Sequence, residues 1–235
     1  MYRVPEPDSG AGPWVHAVIV AWPFSVRDAL VGPPAARLRR ALREAKRFLS
    51  ETSARSLIDH IVAHPARRAL LAGATLDSLH VGFLFPEPTL DLASLAETAV
   101  AAGFDGPHTS FPSTVVAREL ALLAGAEVPT HVFCAEAAPP VQRWVEVFIP
   151  ALPQGSARGW LADEVSSHVG INLVDAAQLE PAGAALHAEG FAVPSFMTLT
   201  GIRNPALAVT GVYFDKREDD SLIRIELVRP EPACR

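Results

Sequence analysis

Two segments of this chain begin alike. LHVGFLF starts at Leu79 and SHVGINL starts at Ser167. Each sets a His, then Val-Gly and an apolar residue, at the head of a short apolar run that reads as a buried strand. The likeness continues downstream. A helical pattern closes on Gly-Phe at Phe104 in the first case and at Phe191 in the second, 24 and 23 residues beyond the His. The final strands, RWVEVFI and IRIELVR, carry Glu146 and Glu226 at matching positions, 66 and 58 residues beyond the His. The difference fits in the loop after the first helix. A duplicated unit constrains the fold strongly, because both copies must build the same architecture.

The rest of the chain divides around this duplication. Residues 1–75 read as a helical N-terminal extension, 76–152 as the first unit and 160–229 as the second. WVHAVIVAW (Trp14 to Trp22) reads as a short strand or extended buried segment. From Ser25 to about Leu71 the apolar spacing is helical: Leu38, Leu42, Ala45 and Phe48, then Leu57, Ile58, Ile61 and Val62. SETS, from Ser50, predicts a break and a new cap. RLRRALREAKR, from Arg37, fits a solvated helix face better than a binding surface. In the first unit LDLASLAETAVAAGF predicts a helix, GPHTSFPS a loop and STVVARELALL either a strand or a helix. VPTHVFCAEA and VQRWVEVFI predict strands, and PQGSARG a linker. In the second unit DAAQLEPAGAALHAEGF predicts a helix. PSFMTLTGIRNPA predicts a strand and a loop. LAVTGVYFD and LIRIELV predict strands joined by KREDD.

Composition excludes several function classes. The chain has 235 residues, 49% hydrophobic, with a net charge of −6, which argues against a nucleic-acid surface. Cys134 and Cys234 are too few for a disulfide framework and lack C-x-x-C spacing. The apolar runs are too short to span a membrane. The N-terminus has acids and prolines where a signal peptide needs a basic start and an apolar stretch. These features predict a soluble, cytoplasmic protein. No phosphate loop, nucleophile elbow or Rossmann glycine pattern is present.

Side-chain alternation gives the chemistry. His80 shares a strand face with Gly82 and Leu84, Glu146 with Trp144 and Phe148, and Glu226 with Arg224 and Val228. A carboxylate among apolar neighbours is costly to bury unless it is paired or bound to metal. Imidazole with carboxylate suits Fe2+, Ni2+, Zn2+, Co2+ or Mn2+.

A repeated unit with His on its first strand and Glu on its last resembles the vicinal oxygen chelate superfamily, the fold of glyoxalases, extradiol dioxygenases and bleomycin-resistance proteins. The resemblance covers about residues 76–229. It implies an α+β fold of two paired βαβββ modules forming a metal-binding cleft, here with a helical extension added. Carried over by position, the metal ligands are His80, Glu146, His168 and Glu226, around one divalent ion. Four such ligands resemble the bacterial type of glyoxalase I. Extradiol dioxygenases of this fold usually use two His and one Glu. The resemblance implies an enzyme acting on a small oxygenated metabolite, by lyase or isomerase chemistry or, alternatively, as a non-haem Fe(II) dioxygenase. A non-enzymatic drug- or metabolite-binding protein is the third reading. Glu226 is expected to anchor metal and Glu146 to act as a base. Each imidazole is expected to hydrogen-bond through its second nitrogen.

Other polar residues compete for roles. His131, in THVFCAEA, precedes the strand of Glu146 and is a candidate acid/base, substrate contact or replacement ligand. His108 sits in a segment able to cover the cleft. His60 and His64 have a metal-compatible i, i+4 spacing without the Glu of H-E-x-x-H, so they read as surface or interhelix contacts. His187 reads as solvated. Arg203 and Asn204 are candidates for a substrate carboxylate. The expected partner is a small-molecule substrate, with no nucleic acid and no membrane. The stretch between Pro150 and Ser167 is long enough for the modules to pair within one chain. Relatives of this fold also exchange modules, so monomer and homodimer both stand.

Overall fold

The computed structural model describes residues 33–86, 91–137, 142–152, 166–198, 201–204, 209–218 and 221–230. WVHAVIVAW, PQGSARG and Cys234 lie outside the described residues. The class is mixed α+β.

Three helices come first: α1 (Pro34–Glu51), α2 (Ala54–Ile61) and α3 (Pro65–Ala74). Pro34 begins α1, where a missing N–H costs nothing. Ser53 begins α2 with a reciprocal capping box to Ser56, which places the predicted break in SETS. The strands β1 (Thr75–Leu84), β2 (His108–Pro112), β3 (Thr130–Glu136) and β4 (Arg143–Pro150) follow, with α4 (Leu92–Ala101) and α5 (Thr114–Ala124) between them. The second half holds β5 (His168–Leu173), α6 (Leu179–Ala188), β6 (Ile202–Asn204), β7 (Val209–Glu218) and β8 (Ser221–Pro230).

The described strands form one eight-stranded sheet in the order β2-β3-β4-β1-β5-β8-β7-β6. From the centre outward both halves run in the same sequence: first strand, last strand, third strand, second strand. In each half the first strand is parallel to the last. β1 and β5 join the halves antiparallel.

Alternation then separates two faces. Leu79, Val81 and Phe83 of β1 enter a core shared with Leu38, Leu42, Ile58, Leu71, Leu95 and Leu186 of the helices. His80, Gly82 and Leu84 point the other way. The N-terminal helices occupy the helical face between the two units. α1 packs on α4, β4 and β1, α2 on β1 and α3, and α3 on β1 and α6. They supply no member of the His/Glu set. His60 and His64 are exposed on this outer layer.

Three expectations from sequence change. GPHTSFPS is not wholly a loop, because His108–Pro112 forms an edge strand paired with β3. Its brevity and flanking prolines hide the strand signal. STVVARELALL resolves to helix, capped by Ser113 and stopped by Gly125 in the left-handed conformation. Among the described residues of PSFMTLTGIRNPA, the strand is Ile202–Asn204, and Pro194 to Met197 makes a turn.

Arg143 fastens the extension to the sheet. It is buried, and its five N–H groups are all engaged. They reach the carbonyls of Leu49, Thr52, Asp77 and Gln142 and the carboxylate of Asp77. The other use of Asp77 Oδ1 is to accept from the Ala54 N–H at the start of α2. Arg143→Met keeps the aliphatic stem but strands these acceptors. It should cost about 2–4 kcal/mol in urea unfolding.

Candidate metal centre

The pairing of β1 with β5 explains the repeated His-Val-Gly. His80 stands opposite Gly170, and Gly82 opposite His168. In an antiparallel pair, opposed residues point to the same face. Each imidazole therefore lies over the glycine of the other strand. A Cβ on Gly170 would come 1.8 Å from His80 Cε1, and one on Gly82 would come 2.1 Å from His168 Cε1. The glycines are vacant space for two rings that meet at the centre of the sheet.

The last strands bring the carboxylates. His80 Nε2 lies 2.9 Å from Glu226 Oε2 and 3.1 Å from His168 Nε2. His168 Nε2 is 3.3 Å from Glu226 Oε2 and 3.9 Å from Glu146 Oε2. One ligand atom from each of the four residues lies within 4.8 Å of the others. The rings are buried, while the two Glu side chains are 12% and 14% exposed toward the cleft. Gly211 makes room for Glu226 as the other glycines do for the rings, since a Cβ there would lie 1.8 Å from Oε1.

These atoms suit a single divalent ion. Ligands at about 2.0–2.2 Å from a metal stand roughly 3–4 Å from one another, and four of the separations here, 2.9–3.9 Å, match that spacing. The orientation of His168 also suits it. A carbonyl can only accept, so Nδ1 donates to Ser166 O at 3.0 Å and Nε2 is left facing the cluster. His80 departs from expectation. Its ring stacks on Trp144 with centroids 4.5 Å apart, and its buried Nδ1 has no hydrogen-bond partner among the described residues. Among the described residues, only His168 of this pair is held through its second nitrogen.

The carboxylates are unequal. Burial pushes Glu226 toward protonation, but hydrogen bonds from His168 and His80 and their charge hold it down to about 2. Burial likewise pulls His168 down, yet its bond to Glu226 and the charges of Glu226 and Glu146 carry it above its ordinary value. Glu146 is held more loosely, by Trp144 Nε1–H at 3.4 Å and the Cys134 thiol at 3.9 Å. Burial, then the nearby Glu146, pushes Cys134 up, so it remains a thiol donor. Burial and both carboxylates raise Tyr213, which stays a neutral phenol beside His168.

The site opens into a cavity of about 470 Å³. Phe111, Val132, Trp144, Phe148, Tyr213 and Val228 line much of it, with Gln142 and Asn172 as polar contacts. That volume is ordinary for a small-molecule pocket.

His131 is not in the cleft. Cys134 is opposite Glu146 in the β3–β4 register, so even-numbered β3 residues face the site. His131 has the parity of Phe133 and Ala135, which enter the helix-side core, and it is exposed. This rules out direct acid/base or ligand use. His108 faces the same way, opposite Ala135, with its ring against Phe133. His187 is exposed and bonds through Nδ1 to the Phe191 carbonyl beyond α6. Arg203 and Asn204 lie on β6 rather than in a loop.

Sequence reading passed over the glycines, although they sit in the motif itself. His-x-Gly opposed to a second His-x-Gly in antiparallel register puts ring over glycine twice. Gly170→Ala or Gly82→Ala should displace an imidazole and weaken Zn2+ binding roughly 100-fold while the protein still folds. Gly73, in α3, has open space where a Cβ would go. Gly73→Ala should instead raise stability by about 0.5–1 kcal/mol without altering metal binding. Chelator competition and urea unfolding on the three variants check both outcomes.

No protein-family sequence model matches this chain, and no curated protein matches its sequence.

Proposed function

We propose that this chain is an enzyme of vicinal oxygen chelate type, with two paired βαβββ modules across β1 and β5. His80, Glu146, His168 and Glu226 hold one divalent metal ion. The substrate is a small oxygenated metabolite, and the chemistry is that of a lyase or isomerase. The observation that carries this reading is the convergence of four donors, two from each half, three of which, His80, Glu146 and Glu226, line an open cavity. The identical strand order in the two halves supports it.

When bound, the metal supplies Lewis-acid polarisation of two neighbouring substrate oxygens. The protein's own groups do the rest. Glu226, gripped by both imidazoles, keeps the donor set together. Glu146, the looser carboxylate, reaches the cavity and takes or returns a proton on the substrate. Trp144 and Phe148 give the cavity apolar walls, which exclude water and strengthen charge interactions inside.

A second reading has a specific observation in its favour. His80, His168 and Glu226 form the tighter cluster, and Glu146 stands 3.9 Å from His168. Two His and one carboxylate with open positions is the donor set of non-haem Fe(II) oxygenases. Metal analysis of protein purified without chelator, followed by oxygen uptake with added Fe2+, separates the readings. His80→Ala and His168→Ala should each lose most bound metal. Glu146→Gln should retain metal and lose activity if the reaction is proton transfer. Substantial oxygen uptake by Glu146→Gln would favour the oxygenase. Unchanged metal content on replacing His80, Glu146, His168 and Glu226 one at a time would leave a metal-free ligand-binding protein.

A pH dependence arises from the same cluster. His168 is raised above 6.5. Its contribution to the stability of the metal-free protein is full below that value and lost as pH rises through the folded pKa. Glu226 is held at about 2, against an ordinary 4.5. Its contribution is full above 4.5 and lost as pH falls toward 2. Metal competes with these protons. Above about pH 6.5 the Tm should fall in chelator, and the gain in Tm on adding Zn2+ should grow. Thermal unfolding across the range, with and without chelator, checks this.

A further inference from the structure

A chain of buried polar groups outside the donor set runs from helix α5 of the first half to His168 of the second. Ser166, fully buried, has φ of 65°, a left-handed conformation unfavourable for a residue with a Cβ. That conformation accompanies the bond from His168 Nδ1 to the Ser166 carbonyl. The Ser166 hydroxyl is itself held, donating to Glu119 Oε2 at 2.8 Å. Glu119 comes from α5 of the first half, and its other oxygen accepts from Arg224 at 2.8 Å. Arg224 is fixed in turn by a bidentate pair with Asp215, at 2.7 and 2.8 Å, and its guanidinium lies over the rings of Phe196 and Tyr213.

Sequence position shows the asymmetry. Trp144 and Arg224 both stand two residues before the Glu of their half. In the first half that residue stacks directly on His80. In the second it is a buried arginine tied to Glu119. A buried charge is costly unless it is fully paired, and here Asp215 and Glu119 flank it. We propose that Glu119, Ser166 and Arg224 are positioning residues for His168. They hold its Nδ1–H on the Ser166 carbonyl and so keep Nε2 aimed at the donor cluster. Helix α5 thereby makes the second half's imidazole dependent on the first half. This rests on the metal-centre reading of the four donors.

The test uses the full chain as Ser166→Gly, Ser166→Ala and Glu119→Gln. Ser166→Gly loses the hydroxyl but adopts the positive φ freely, so it keeps the experiment interpretable if another variant folds poorly. Two quantities are measured: exchange of the His168 Nδ1–H proton in the metal-free protein, by nitrogen-resolved NMR, and Zn2+ affinity by chelator competition. The expected result is exchange at least about tenfold faster in each folded variant and Zn2+ affinity about 10–100-fold weaker, with backbone amide exchange elsewhere unchanged. Unchanged proton exchange and unchanged affinity in Ser166→Gly would overturn the proposal. So would failure of Ser166→Gly to fold, which would make the network structural. If the parent binds no Zn2+ but its His168 proton is protected and becomes labile in the variants, the positioning network stands and the metal reading fails.

Discussion

The contact on which this structure depends is the antiparallel meeting of β1 and β5. Two imidazoles share the centre of the sheet there because each lies over a glycine of the opposite strand. A one-residue slip in that register would oppose His80 to Val169 or Ile171 and leave the two rings on opposite faces of the sheet. Register, the joining of the halves and assembly of the donor set are therefore one event. The carboxylates arrive by the same logic, since β4 and β8 are the parallel neighbours of β1 and β5.

The opposite face has to be closed for that centre to exist. α4 and α6 belong to the two units, and α1 to α3 cover the ground around β1 between them. Their apolar stripes bury Leu38, Leu42, Ile58 and Leu71 against the sheet. Polar clamps fix the placement: Arg143 on the end of α1, and Glu189 on the Ala63 and His64 N–H groups that start α3. A negative group at a helix N-terminus satisfies free donors and interacts favourably with the helix dipole. The described helices of the extension thus stabilise the sheet from the face away from the cleft.

The halves are alike in topology and unlike in chemistry. One ring is held by stacking on Trp144, the other by a hydrogen bond to a strained Ser166. Glu226 is gripped by both rings, whereas Glu146 has weaker, longer contacts with an indole and a thiol. A duplicated scaffold supplies symmetric positions, and substitution at the flanking residues makes those positions unequal. That inequality is the ground on which the proposed function gives Glu226 the holding role and Glu146 the proton-transfer role.

Much of the fold was legible in the sequence. The duplicated spacing, the helices ending at Gly103 and Gly190 and the cap at Ser53 are local signals, set by periodicity and backbone sterics. The four residues that converge were also named from the sequence, by carrying the positions of the family resemblance onto the repeat. What the sequence did not reveal depends on neighbours distant in the chain. The short strand at His108 exists only by pairing with β3. His131 was misassigned because its facing is decided by the register of β3 on β4, not by its nearness to Glu146. The pairing of ring with glycine and the link from Glu119 to Ser166 and Arg224 join residues of different halves. Local sequence determined which elements form and which side chains they carry; only tertiary packing decided which face each side chain meets, because facing follows from strand register and register is fixed by contacts across the sheet.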